Sequence, residues 1–225
     1  MTCRSSYCAH SLLALFTSAA VLDAQASLGV IEGAAPGDNV IQVAPITDIN
    51  GDGIQDLAIF SAAGIGPAVG VLLHSGVPPH PRLGEILGPQ FTFRVSDESF
   101  AVIGDYDGDG HSDVAYREGS SAGHYVQLYN ARTLQFLARF DDPGVNQWGF
   151  IVGGVGDIDG NGHDDLLVGG EDSTFHVYGG PNGNLIRTHV GIGAYGNSFA
   201  LLGDLDGDGV RDFAIGSGGA SRVWV

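Results

Sequence analysis

The chain has 225 residues, with 26 acidic side chains against nine basic ones, for a formal net charge of −17 at pH 7. That balance speaks against nucleic acid and anionic membrane as partners. Apolar residues make up 44%, which argues against wholesale disorder and is enough for one medium domain with its own core.

At the start of the chain, Arg4 and His10 precede an apolar run over residues 11–22 that ends near Ala24-Gln25-Ala26. A positive leader, a short apolar stretch and a small-x-small site predict a signal peptide over residues 1–26, cleaved on secretion. The run is short for a bilayer span. Cys3 and Cys8 both fall inside it, so the mature chain has no cysteine and no disulfide framework. No later stretch is long enough for a membrane anchor. The expected location is therefore secreted, whether extracellular, at the cell surface or in the periplasm. Residues 27–225 are expected to form one domain.

The mature chain reads as short strands. Residues 39–46 form the first candidate, with Pro45 near its end. Residues 57–60 and 68–74 follow, and the proline-rich 75–88 reads as an irregular connection. A second group comprises 99–103, 114–116, 124–129 and 134–140, with Asn130-Ala131-Arg132-Thr133 as a hairpin loop. The third comprises 150–155, 166–168, 175–178 and 185–190. The fourth comprises 198–202, 213–215 and 221–225. No stretch carries a helical period of useful length.

Between the first and second strands of each group lies the same nine-residue loop. Oxygen-bearing side chains stand at positions 1, 3, 5 and 9, and glycines at 4 and 6. The ligand positions are Asp48, Asn50, Asp52 and Asp56; Asp105, Asp107, Asp109 and Asp113; Asp157, Asp159, Asn161 and Asp165; Asp204, Asp206, Asp208 and Asp212. Carboxylates gathered so closely without a cation would raise one another's pKa. An all-oxygen set at this spacing suits calcium, a hard cation, and suits zinc or copper poorly. Position 7 would offer a backbone carbonyl, which needs no particular side chain, and it is Ile54, His111, His163 and Val210. The two histidine side chains there are expected to be solvated. Gly53, Gly110, Gly162 and Gly209 fall where the chain turns sharply, with φ expected positive. Up to four calcium ions are expected.

The first five positions resemble an EF-hand, but position 12 is Ile59, Tyr116, Val168 and Ile215, where an EF-hand needs glutamate. The loop-to-loop spacings are 57, 52 and 47 residues, the size of a four-stranded propeller blade. Taken together, the repeat resembles the FG-GAP repeat, the blade of the integrin alpha-subunit propeller and of many secreted bacterial proteins. Trp148-Gly149 and Tyr195-Gly196 stand where Phe-Gly belongs, and Val168-Gly169-Gly170 and Ile215-Gly216-Ser217 where Gly-Ala-Pro belongs. The first two repeats lack the second motif. The expected fold is all-β: a partial or open β-propeller of about four blades, the last incomplete.

Other motifs lack their context. Gly191 to Gly196 matches the dinucleotide fingerprint, but a strand follows where a helix is needed. Gly119-Ser120-Ser121-Ala122-Gly123 matches a nucleophile elbow but reads as a polar turn. Phe100, Trp148, Phe199 and Phe213 are expected in the core, Tyr106 and Tyr125 as surface stacking groups, and His74 and His80 on the surface. The acids outside the loops, Glu98, Glu118, Asp141, Asp142 and Glu171, read as solvated charges.

The resemblance implies a non-catalytic adhesion or recognition module for an extracellular protein or glycan. The alternative is a polysaccharide-active enzyme or its accessory carbohydrate-binding domain, which a pocket built on acids outside the loops would favour. Family propellers usually have seven blades, so about four leave three readings open: a fragment of a longer protein, an open arc that self-associates through its edge, or a small ring closed by residues 39–46.

Overall fold

The computed structural model describes residues 31, 38–63, 69–87, 100–120, 123–144, 148–170, 174–191, 195–217 and 221–225. The expected signal peptide, Glu98, Glu171 and Ser121 lie outside them. The chain divides into two compact units, Met1–Glu32 and Gly33–Val225, and every strand below belongs to the second.

Among the described residues, fifteen strands form four antiparallel sheets, each a run of sequence neighbours. The first holds β1 (Asp38–Ile46), β2 (Asp56–Ala63), β3 (Val69–His74) and β4 (Arg82–Leu87). The second holds β5 (Phe100–Gly104), β6 (Asp113–Ser120), β7 (Gly123–Asn130) and β8 (Phe136–Asp141). β9 (Ile151–Gly156), β10 (Asp165–Gly169), β11 (Thr174–Gly179) and β12 (Asn184–Val190) form the third. The fourth has three strands: β13 (Tyr195–Leu201), β14 (Phe213–Ser217) and β15 (Arg222–Trp224). These are the blades of a partial, open β-propeller. The first strands of successive blades touch, β1 against β5, β5 against β9 and β9 against β13.

Side-chain alternation explains the uninterrupted apolar runs. On β6, Val114 and Tyr116 join Phe60, Val71 and Leu73 of the first blade, while Ala115 joins a second cluster with Val126, Leu128, Trp148, Leu166 and Val168. On β10, Leu166 and Val168 face that second cluster and Leu167 faces a third, with Phe175, Val177 and Ile215. β6 and β10 are thus covered on both faces by neighbouring blades. Aromatic rings bridge the seams: Phe60 stacks on Phe100 at 5.7 Å, Phe140 meets Tyr178 at 4.7 Å, and His189 meets Phe213 edge-on at 6.0 Å. Of the aromatics expected in the core, Phe100 and Trp148 are fully buried, and Phe199 and Phe213 pack against the third cluster. The inner strands meet so closely that a Cβ on Gly154 would lie 2.3 Å from the Ile103 carbonyl oxygen. Only glycine permits that approach.

Two expectations need correction. Residues 75–88 are not irregular throughout. Ser75 to Pro81 forms a tight turn, closed by Ser75 N–H donating to Pro81 O at 2.9 Å, and β4 follows. The three prolines are confined to that turn and its exit. β4 is an outer strand, and of its residues only Ile86 is buried, so it leaves no apolar run to read. β6 also runs well past Tyr116, because its pairing with β7 continues to Ser120 opposite Gly123.

Candidate metal centres

The loop is a hairpin between the first two strands of each blade. Ile46 pairs with Asp56, Gly104 with Asp113, and Gly156 with Asp165, so position 9 opens the second strand. Inside the loop, side-chain oxygens turn the backbone by capping its amides. The position 1 carboxylate accepts from the position 6 amide in every blade, at 2.6 Å from Gly53, 2.9 Å from Gly110, 2.8 Å from Gly162 and 2.9 Å from Gly209. Position 5 accepts from position 7, at 2.8–2.9 Å. These bonds close only if the glycines at positions 4 and 6 take φ between +74° and +90°, as all eight do.

The result is four clusters in which carboxylate oxygens lie within 4.8 Å of one another: Asp48, Asp52 and Asp56; Asp105, Asp107 and Asp113; Asp157, Asp159 and Asp165; Asp204, Asp206 and Asp212. Each could hold a metal ion. The tight set uses positions 1, 5 and 9 in the first loop, where position 3 is the neutral Asn50, and positions 1, 3 and 9 in the others. In the second loop Asp109 turns away: its oxygens accept from His111 N–H at 2.8 Å and from the Asn130 side-chain amide at 2.9 Å.

Position 9 anchors each cluster. Its carboxylate accepts from the position 2 amide in all four loops, at 2.9 Å from Ile49, 2.9 Å from Tyr106, 2.8 Å from Ile158 and 2.7 Å from Leu205. In the first and third blades the other oxygen accepts from a glycine in the outer turn, Gly76 or Gly180, each at 3.0 Å. The second blade has no such glycine. Asp113 is fully buried and its Oδ1 has no hydrogen-bond partner, though Asp105 and Asp107 stand beside it. Burial, with the charges of Asp107 and Asp109, pushes its carboxyl up to about 8. Burial likewise raises Asp165. Asp48 is held below the usual range, chiefly by the Gly53 amide. A buried carboxylate with an orphaned oxygen, beside two more carboxylates, is a donor set that could hold a cation, and its all-oxygen character fits a hard one.

The outer turns brace the loops, which the sequence did not suggest. Ser75 Oγ donates to Asp52 at 3.1 Å, the Asn130 amide to Asp107 and Asp109 at 2.9 Å each, and Asn161 reaches the Gly180 carbonyl at 2.8 Å. These braces span about twenty residues and share no motif, so spacing gave no hint of them.

Several side chains sit elsewhere than expected. Tyr106 is buried and donates to the Gly179 carbonyl at 3.3 Å, because the third blade covers it. His74 is buried, its Nδ1 2.8 Å from the His80 carbonyl. The position 7 histidines are not simply solvated: Arg132 lies 2.9 Å from His111 Nε2, and the His163 ring lies over Gly108. Tyr125 is half-buried with the Arg139 guanidinium 3.8 Å above its ring. Glu118 is fully buried on β6; Gln127 donates to its Oε2 at 3.0 Å, and burial raises its pKa. The corresponding position is Ser61 on β2 and Gly170 after β10, so Glu118 departs from the repeat. It pairs with Tyr125 across β6 and β7, a contact that no local pattern reports. Asp141 is exposed beside Arg139.

Residues 105–168 match the family of FG-GAP-like repeats. The chain is 30% identical to integrin alpha-PS2 of Drosophila melanogaster over 152 residues, 55% of this chain and 11% of that one. It is 33% identical to integrin alpha-4 of Xenopus laevis over 138 residues, 54% and 13% respectively, and 29% identical to integrin alpha-3 of Cricetulus griseus over 158 residues, 62% and 15%. The matched stretch thus spans 11–15% of these relatives' length. The crystal structure of BBS1N in complex with ARL6DN aligns at a TM-score of 0.36 and 8% identity over 78% of this chain and 63% of that one, too loosely to bear on function.

Proposed function

We propose that this chain, with its FG-GAP-like repeat and its similarity to integrin alpha subunits, is a secreted, calcium-binding β-propeller that recognises an extracellular protein or glycan and performs no chemistry. The observation that carries the ion claim is buried Asp113, whose Oδ1 has no hydrogen-bond partner and whose carboxylate lies within 4.8 Å of those of Asp105 and Asp107. Asp or Asn at positions 1, 3, 5 and 9, with the carbonyls of Ile54, His111, His163 and Val210, would hold the ions. A bound ion would neutralise each acidic turn and supply no reaction step. Repetition of near-identical acids in every blade supports a structural ion over a catalytic pair. Among the acids outside the loops, Glu118 is sealed from solvent and Asp141 is ion-paired, which favours binding over hydrolysis.

The recognition surface is assigned to the blade ends away from the loops. There β6 ends, β7 begins, and Tyr125 and Arg139 reach partial exposure. Among the described residues no helix is long and apolar enough to cross a membrane.

Scanning calorimetry of the full chain in calcium and in EDTA tests this. Each site filled at a hundred times its Kd adds about 2.7 kcal/mol, so chelation should lower the Tm by many degrees. An unchanged Tm would sink the ion claim, and a glycan array run beside a hydrolysis screen separates binding from turnover.

A further inference from the structure

Position 8 of the loop faces out of its own cluster and toward the loop of the preceding blade. In the second loop it is Ser112, whose N–H donates to Thr47 Oγ1 at 2.7 Å while its Oγ accepts from Thr47 N–H at 3.3 Å. In the fourth it is Arg211, whose side chain lies over Gly156, just before the third loop. In the third it is Asp164, and there the contact reaches a candidate ligand residue itself. Asp105 N–H donates to Asp164 Oδ2 at 2.7 Å, and Asp164 N–H donates back to the Asp105 carbonyl at 2.9 Å.

Three more contacts tie these two loops. A Cβ on Gly104 would meet the Asp164 carboxylate at 2.0 Å, so that carboxylate rests directly on the residue before Asp105. A Cβ on Gly108 would meet the His163 ring at 2.5 Å. Tyr106 donates to Gly179 in the outer turn, whose next residue, Gly180, donates to Asp165. The backbone at positions 0, 1, 2 and 4 of the second loop is therefore seated on positions 7, 8 and 9 of the third and on the turn that braces it.

We propose that the second and third loops bind calcium as a coupled pair, with Asp164 as the residue that transmits the coupling. The inference rests on the calcium reading above. An ion in the third loop orders Asp157, Asp159 and Asp165 around it and so fixes Asp164, the residue next to Asp165. Asp164 in turn holds the Asp105 backbone, from which the second loop presents its first carboxylate. Filling one site thereby prepares the other, and by linkage the effect runs both ways. The neutral Thr47–Ser112 pair touches the residue before Asp48 and not Asp48 itself, so the first and second loops are less tightly joined.

The test is a calcium titration of the full chain followed by the amide resonances of Gly110 and Gly162, which report the two sites separately. Asp157→Ala disables the third loop at a half-buried position. In the wild type this should weaken binding at Gly110 roughly 5- to 20-fold, within the usual range of coupling free energies. Asp164→Ala should itself weaken the Gly110 site and abolish the further effect of Asp157→Ala. Asp164→Asn keeps an acceptor oxygen and should restore coupling, and it serves as the working variant if Asp164→Ala does not fold. A Gly110 site unaffected by Asp157→Ala overturns the coupling while leaving calcium binding intact. Coupling that survives Asp164→Ala overturns the role of Asp164. A wild type that takes up no calcium overturns the calcium reading and the coupling together.

Discussion

Asp113 shows how a single carboxylate can be costly in one state and useful in another. It is buried among Asp105 and Asp107 with one oxygen unpaired, a position that only a proton or a cation relieves. In the ion-free protein its carboxyl is raised from 3.8 to about 8. The folded state therefore holds a proton that the unfolded chain has lost, and this residue's contribution to stability declines as pH rises from about 4 toward about 8. Asp113→Asn resembles the protonated form. In EDTA, urea denaturation of this variant should lack that part of the pH decline and match or exceed the wild type near pH 8. In calcium it should lose one site, as counted by titration calorimetry. A variant with the wild-type pH slope in EDTA would show that Asp113 is not strained. Tyr106 and Glu118 mark the limit of reading at this scale. Both look exposed in sequence, one in a loop and one at a strand end; Tyr106 is buried against the third blade, and Glu118 is buried beside Gln127 of β7.

At the scale of the element, the loop and the outer turn act as one piece. The loop's own hydrogen bonds span two to seven residues and follow from its composition. The brace from Asn130 spans more than twenty, and it links the loop to the β7–β8 turn. Asn130 also caps that turn by accepting from Thr133 N–H at 2.8 Å. It is buried, so its removal leaves Oδ2 of Asp107 and Oδ2 of Asp109 without this donor in a crowded acidic site. Asn130→Ala should cost roughly 1.5–3 kcal/mol, the range for hydrogen bonds to charged groups. The shift in urea midpoint at constant m measures it, and a change within error would mean that water replaces the amide. Ser75 plays the corresponding part in the first blade with a single donor, and its removal should matter less.

For the whole molecule, stability lies in the seams between blades. No single blade covers its own two faces, and the clusters that do so alternate from blade to blade along the chain. Trp148 stands at the second seam. It is fully buried, donates from Nε1 to the Phe140 carbonyl at 3.0 Å, and meets His176 and Tyr178 edge-on at 5.2 and 6.3 Å. Trp148→Ala should cost about 3–5 kcal/mol in a denaturant titration. Trp148→Phe should recover part of that loss through its ring, although it cannot replace the N–H donor. If the two variants were equally mild, the seam would not carry the stability assigned to it.

The sequence by itself determined the repeat, the blade size, the register of the sixteen Asp and Asn positions in the loops and the positive-φ glycines. All of these rest on contacts within about ten residues, and local spacing records such contacts directly. It also determined most strand positions, because strands buried on both faces are written as apolar runs. Tertiary structure alone decided the rest. β4 became a strand through its pairing with β3, with no apolar run of its own. The Asp105–Asp164 pairing spans 59 residues, and Tyr106 is buried against the third blade. These contacts arise when separate hairpins pack face to face, and the distance along the chain between their partners carries no periodic signal. The repeated acidic loop is therefore legible in isolation, and its attachment to the next loop is not.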